Sequence, residues 1–253
     1  TVQETPEFPE DKADEQQDQP NAVQSLLPKG PHTGNVVHEL LETNSFRQLA
    51  EHKGISVQKT KVCLRYGLKL EQPTLLDELL YAVVTTPLSQ TDKDFCLMNL
   101  QDQHCLKEMP FYLSLSHINT VAINVILQDS PTFQPLDSKQ IAGYLTGFID
   151  LICEYQGRYY IMDYKTNALA DYTPVSVLQA MREHNYGLQY WLYSVVLHRY
   201  LQTRLASYNY QQHFGGVRYL FVRGMQSNMA MAGVYEDKPA LEKINALAAL
   251  FDV

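Results

Sequence analysis

The 253-residue sequence has no apolar run near the ~20 residues needed to span a bilayer. Its best candidate, Val121 to Leu127, is interrupted by Asn124. There is no basic-then-apolar leader, and the chain starts at Thr1, so we expect a soluble piece of a longer polypeptide, in a cytoplasmic setting with no membrane partner. Cysteine is scarce: Cys63, Cys96, Cys105 and Cys153 are spaced 33, 9 and 48 residues apart with no CxxC. That disfavours a zinc ribbon or a cysteine-held iron–sulfur cluster, and apolar flanks suit buried reduced thiols. No GxxxxGK[ST] occurs, so this fragment has no ATP site of that kind. Internal repeats are absent too.

Excess basic charge is also lacking. The formal charge is −8, but residues 1–20 hold seven acids (Glu4, Glu7, Glu10, Asp11, Asp14, Glu15, Asp18) against Lys12 alone, which leaves the rest at −2. A near-neutral body leaves room for a local basic groove without requiring one. Residues 1–28 are rich in Glu, Asp, Gln and Pro and read as an acidic flexible linker. Residues 29–253 read as a single domain, because 45% hydrophobic and 11% aromatic residues suffice for a core without disulfides.

Thr33–Glu42 reads as a helix with Val36, Val37, Leu40 and Leu41 as its apolar stripe, capped by Thr33 or Asn35. A largely helical region follows to about residue 90, with Leu75–Val84 its clearest part. Glu108–Leu115 and Val121–Leu127 read as strands. Tyr144–Tyr155 and Arg158–Lys165 flank Gln156-Gly157, a hairpin pattern. Thr173-Pro174 opens a helical stretch to about Leu205, broken near Gly187. Gly215-Gly216 introduces the β-rich run Val217–Arg223, and a helix over about 239–251 closes the chain. Strands interleaved with helices in this order imply an α/β sheet with helical cover.

The hairpin carries the chemistry. A turn centred on Gln156-Gly157 pairs residues whose numbers sum to 313, placing Asp150 opposite Asp163 with Cβ atoms roughly 5 Å apart. Phe148, Ile152 and Lys165 share that face by strand alternation. Two carboxylates facing each other on an apolar surface repel unless they share a proton or a cation. A hard divalent ion such as Mg²⁺ suits such a pair, and an adjacent Lys suits an anionic substrate. On this basis Asp163→Ala is expected to leave metal-free stability unchanged or raised.

Other candidates are ambiguous by themselves. Glu108 opens a strand, where most Glu are solvated. A lone His38 in a helix is more often structural than a ligand. Gln189 and Tyr193 share a helix face at i, i+4, within an aromatic stretch that reads equally well as core packing. Arg199, Arg204, Arg218 and Arg223 suit a phosphate track, with plain solvated charge as the default reading.

GFIDL, then DYK thirteen residues on, then Gln-x3-Tyr, resembles the PD-(D/E)xK nuclease superfamily. GNVVHELLE, EMPFYLSL, LTGFIDL, GRYYIMDYKTN, YGLQYWLYSVVLHRYL and HFGGVRYLFVRG resemble, over about residues 30–236, its RecB-type branch, the nuclease domains of bacterial RecBCD helicase–nucleases. The resemblance implies a restriction-endonuclease-like α/β fold, a mixed central sheet flanked by helices. It implies a Mg²⁺-dependent exodeoxyribonuclease of the exonuclease V type, with Ca²⁺ or Mn²⁺ as substitutes. Asp150 and Asp163 match metal ligands, Lys165 the catalytic lysine and Glu108 the upstream acid. His38 and the Tyr164 backbone carbonyl match further metal ligands, and Gln189 and Tyr193 match the motif beside the active site, with substrate contact as their expected role. Ile149 departs from the superfamily's Pro. Implied partners are DNA single strands from duplex ends, RecC, RecD and the helicase portion of the same chain, in double-strand-break repair, recombination and foreign-DNA destruction. Two rivals stay open: a catalytically silent module of nuclease fold that docks partners or DNA, and a metal-free carboxylate-pair hydrolase such as a glycosidase, which has no evident use for Lys165.

Overall fold

Gln156 and Gly157 take φ of +51° and +76°, both left-handed, as a two-residue hairpin turn requires. Tyr155 therefore pairs with Arg158, and the ladder runs back to Leu151 and Met162, in the register read from the sequence. The computed structural model describes residues 26–251. Around this hairpin stands a five-stranded mixed sheet: Cys105–Asn119 (β1), Gln140–Tyr155 (β2), Arg158–Lys165 (β3), Phe214–Phe221 (β4) and Val234–Asp237 (β5), adjacent in that order. The β3–β4 pair is parallel and the others are antiparallel. The expected α/β class and mixed central sheet are what the chain forms.

Helices cover both faces, so the sheet separates two apolar cores. On one face pack Pro31–Thr43 (α1), Phe46–Glu51 (α2), Ser56–Arg65 (α3) and Thr74–Thr85 (α4), against Leu151, Met162, Tyr164 and Leu220. On the other pack Thr120–Leu127 (α5), Pro174–Glu183 (α6), Tyr186–Arg204 (α7), Tyr210–His213 (α8) and Leu241–Ala248 (α9), against Ile149, Ile161, Val217 and Tyr219. The α7 helix buries side chains on most of its faces and lies within its core. Each fully buried aliphatic side chain contributes roughly 1.5–3 kcal/mol of transfer free energy, so these two layers hold the sheet from both sides.

Several local expectations need correction. Val121–Leu127 is helical: the Asn119 side chain accepts from the Val121 N–H, and Asn124 bonds both N–H and C=O of Leu136. A short apolar run has no decisive period, and here the cap settled it. Gly30, not Thr33 or Asn35, stands at the N-cap of α1, and Thr33 donates instead to the Pro28 carbonyl. The break before α7 falls at Asn185 (φ +51°), and Gly187 lies inside the helix. A Cβ at Gly187 would sit 2.4 Å from the Thr132 carbonyl oxygen, so that glycine serves close packing. The linker expected over 1–28 lies outside the described residues up to 25. Leu27 is buried, however, and Arg223 donates to the carbonyls of Leu27 and Pro28, so the folded body starts ahead of residue 29. Among the described residues no helix is long and apolar enough to cross a membrane.

Candidate active site

Regular alternation fails in β1 and β2 at the same level. Lys107 pairs with Leu151 and Met109 with Ile149, but Glu108 and Asp150 between them lie outside the ladder, and Glu108 has φ +50°. Lys107 sits 4.0 Å over the Phe46 ring and donates to the Leu41 and Asn44 carbonyls, on the α1–α2 side. Met109, two residues on, enters the opposite core, and Leu151 and Ile149 diverge in the same way. A left-handed non-glycine residue costs about 1–2 kcal/mol. Here the strain turns two acids out of the pleat toward each other.

α1 supplies the third group. His38 Nε2 donates to the Tyr164 carbonyl at 2.9 Å, and Nδ1 lies 3.5 Å from Asp150 Oδ2. One ligand atom each from His38, Glu108 and Asp150 fall within 4.8 Å of one another. Asp150 Oδ2 also accepts from the Tyr164 N–H at 2.8 Å. Burial would lower the His38 pKa, but the Asp150 carboxylate overrides it and lifts the imidazole to about 9. Burial, then Asp150 and Glu42, push Glu108 up to about 7. For Asp150, burial opposes ionisation, but His38, Lys165 and the Tyr164 N–H hold it below the usual carboxylate range. The metal-free cluster therefore keeps one ionised carboxylate beside an imidazolium.

The expected Asp150–Asp163 pair falls one step beyond the last bonded pair of the hairpin. The β2–β3 ladder ends at Leu151–Met162, and Asp163 does not join the cluster within the same 4.8 Å. It is 2% exposed, with Oδ1 2.8 Å from Lys165 Nζ. Lys165 lies 4.0 Å over the Tyr186 ring. Burial pushes Asp163 up to about 6, against the pull of Lys165, with Asp150 adding to the rise. Against the expectation that Asp163→Ala spares metal-free stability stands Lys165, whose ammonium truncation would strand in a nearly closed site.

Gln189 and Tyr193 brace the two acids from α7. Tyr219 donates to Gln189 Oε1, Gln189 Nε2 donates to the Tyr193 hydroxyl, and Tyr193 donates to the Phe148 carbonyl, each at 2.9 Å. Tyr219 is the register partner of Asp163 on β4, and Phe148 stands two residues before Asp150. The relay thus ties β4 to β2, and any substrate contact by Gln189 and Tyr193 would come from side chains already held by protein. A polar cavity of about 400 Å³ opens beside the cluster, lined by Asn35, His38, Glu39, Glu42, Arg65 and Glu108 among others.

The PD-(D/E)XK nuclease superfamily model matches residues 15–250. The chain belongs to that superfamily. This nuclease-superfamily domain is 34% identical over 243 residues to the RecBCD enzyme subunit RecB of Escherichia coli strain K12, which covers 92% of this chain and 20% of the relative. It is 36% identical over 234 residues to the RecB subunit of Haemophilus influenzae (89% and 19%), and 30% identical over 264 residues to that of Mycobacterium tuberculosis strain H37Rv (90% and 24%). The chain spans about a fifth of the length of the curated relatives it matches.

Nucleases of this superfamily use divalent metals, and the donors here fit one: a ring nitrogen and two carboxylates converge, with the Tyr164 carbonyl against the same imidazole. The four arginines, read by default as solvated charge and alternatively as a phosphate track, are mostly held by the protein itself. Arg218 pairs with Glu236, Arg223 is buried on backbone carbonyls, and Arg199 holds the carbonyls of Ala248 and Phe251; Arg204 alone is exposed. Sequence reading missed three participants. Glu42 lies one helical turn beyond His38, an i, i+4 signal that was available. Tyr219 and Tyr186 needed the β3–β4 pairing and the packing of α7, which no local pattern carries.

Proposed function

We propose that this domain is a divalent-metal-dependent DNA nuclease of the RecBCD type, acting on strands delivered by a helicase. The observation that carries this reading is the convergence of His38, Glu108 and Asp150 beside the Asp163–Lys165 pair. His38, Glu108, Asp150 and the Tyr164 carbonyl would hold the ion, with Asp163 approaching it from the β3 side. A bound divalent cation supplies charge to a phosphate oxygen and makes water a better nucleophile near neutral pH.

The chain's own groups do the rest. Asp150 is pre-ionised by its neighbours, so it offers a carboxylate without waiting for proton loss. Lys165 is fixed by Asp163 and the Tyr186 ring, so its ammonium can orient water or oppose charge growing on the phosphate. The left-handed Glu108 keeps its carboxylate aimed at Asp150 rather than at a core. We assign Mg²⁺ as the working ion, RecC, RecD and the helicase portion of the same polypeptide as partners, and DNA end processing in the bacterial cytoplasm as the setting.

The test is cleavage of linear single-stranded DNA by the purified chain in Mg²⁺, in EDTA, and with Lys165→Gln. Cleavage is expected only for the wild type with metal. A folded protein that cuts nothing would favour the silent docking module, and cutting unaffected by EDTA would revive the metal-free hydrolase.

A further inference from the structure

Beyond Glu108 and Asp150 the antiparallel β1–β2 pair continues with one face uncovered by any described residue. Odd-numbered side chains from Met109 to Leu115 fill the α5–α9 core, while helices α1–α4 reach the other face only as far as Lys107 and Leu151. Past that level the register sets Pro110 opposite Phe148, Tyr112 opposite Thr146 and Ser114 opposite Tyr144 on this same face. Tyr112 is 74% exposed, Tyr144 64% and Phe148 56%. Read away from the acids, the rings alternate between strands and advance two residues at a time, a step of about 6.8 Å.

The row has three features of a built surface. It is continuous with the metal ligands, since Pro110 and Phe148 stand two residues from Glu108 and Asp150. Its backbone is fixed where it meets them, because Tyr193 donates to the Phe148 carbonyl. It carries no acid or base among its six residues, so ion pairing does not recognise its occupant. Three solvent-facing rings aligned toward a reaction centre are more than scattered surface apolar residues.

We propose that this face is a stacking platform for the unpaired bases of the DNA strand held at the metal ligands. Every base has a π face, so stacking holds a strand without regard to sequence. The inference rests on the nuclease reading and adds to it where the strand lies.

The test uses this chain and a fluorescein-labelled oligothymidylate of roughly 20 nucleotides, longer than single-strand sites of this kind. Anisotropy is read in Ca²⁺ and again in EDTA, for the wild type, for Tyr112→Ala/Tyr144→Ala/Phe148→Ala, and for Tyr112→Phe/Tyr144→Phe. The alanine variant should raise Kd at least about tenfold with the salt slope unchanged, since no phosphate contact is lost. The phenylalanine variant keeps the rings and should stay within about twofold. Cleavage of bis(p-nitrophenyl) phosphate, too short to reach the row, should keep its wild-type rate in Tyr112→Ala/Tyr144→Ala and in the phenylalanine variant. Wild type that binds no oligomer, or an alanine variant with unaltered Kd, overturns the platform. So does a variant whose sole change is lost self-association in light scattering, which assigns the face to a second copy. Ring-dependent oligomer binding by a wild type that cleaves neither diester would sustain the platform and overturn the nuclease reading.

Discussion

Asp150 and Asp163 lie thirteen residues apart on one hairpin, yet they occupy opposite kinds of surroundings. Asp150 is partly open and faces His38 and Glu108, which line a polar cavity. Asp163 is closed off under α7, paired with Lys165 and flanked by tyrosines. One side can trade protons for a cation, because its imidazole and the Glu108 carboxyl hold protons that a bound divalent ion would displace. The other holds a fixed charge pair. A hydrolytic site needs both, and one hairpin presents them together.

The comparison breaks most sharply if the two sides answer alike to truncation. Asp150→Ala and Lys165→Gln are each expected to lower kcat/KM by about 10³ or more in a single-strand nuclease assay. Their stabilities should part. Asp163→Ala strands Lys165 and should lower metal-free stability by about 3–5 kcal/mol in urea melts. Asp150→Ala removes a partly open carboxylate and should cost clearly less. Equal losses would mean that the open and closed sides do not differ in kind.

Proton linkage sharpens the same contrast. The His38 imidazole, raised to about 9, must lose its proton to bind a cation, and so must Glu108 below about 7. Titration calorimetry in two buffers of different ionisation enthalpy should show about one proton released per cation at pH 8, and more at pH 6. All three raised groups, His38, Glu108 and Asp163, contribute stability that is present at low pH and lost as pH rises through their folded values. Metal-free Tm should therefore fall from pH 5 to pH 9, with the gain on adding Mg²⁺ largest at the alkaline end. Glu108→Gln removes one of these penalties. It should raise metal-free stability at pH 8 by about 1 kcal/mol after allowance for solvent screening, with no gain at pH 4, while abolishing activity. Smallest of all, Tyr219→Phe cuts one link of the brace and should cost about 0.5–1.5 kcal/mol and a few-fold in kcat, leaving KM unchanged.

The parts legible in the sequence are those set by neighbours along the chain. Gln156-Gly157 fixed a register that holds to Leu151, and Thr173 caps α6 through the Ser176 N–H. Val121–Leu127 was illegible for want of length: seven apolar-rich residues fit either period until Asn119 and Asn124 are seen to bond. The approach of Glu108 to Asp150 was not legible, because strand alternation stops at that level. That stop depends on Glu108, forty-two residues upstream, adopting a left-handed conformation in another strand. The arginines read by default as solvated charge because a buried guanidinium and a solvated one look alike in sequence. Arg223 is tied to carbonyls nearly two hundred residues away.

The most direct test is a crystal of this chain soaked in Mn²⁺, with anomalous scattering locating the ion. The expected result is a single first-occupied site touching a ring nitrogen of His38 and carboxylate oxygens of Glu108 and Asp150, at distances of about 2.0–2.3 Å. An ion bound away from Glu108 and His38, or no ion at a concentration that supports cleavage, would contradict the site described.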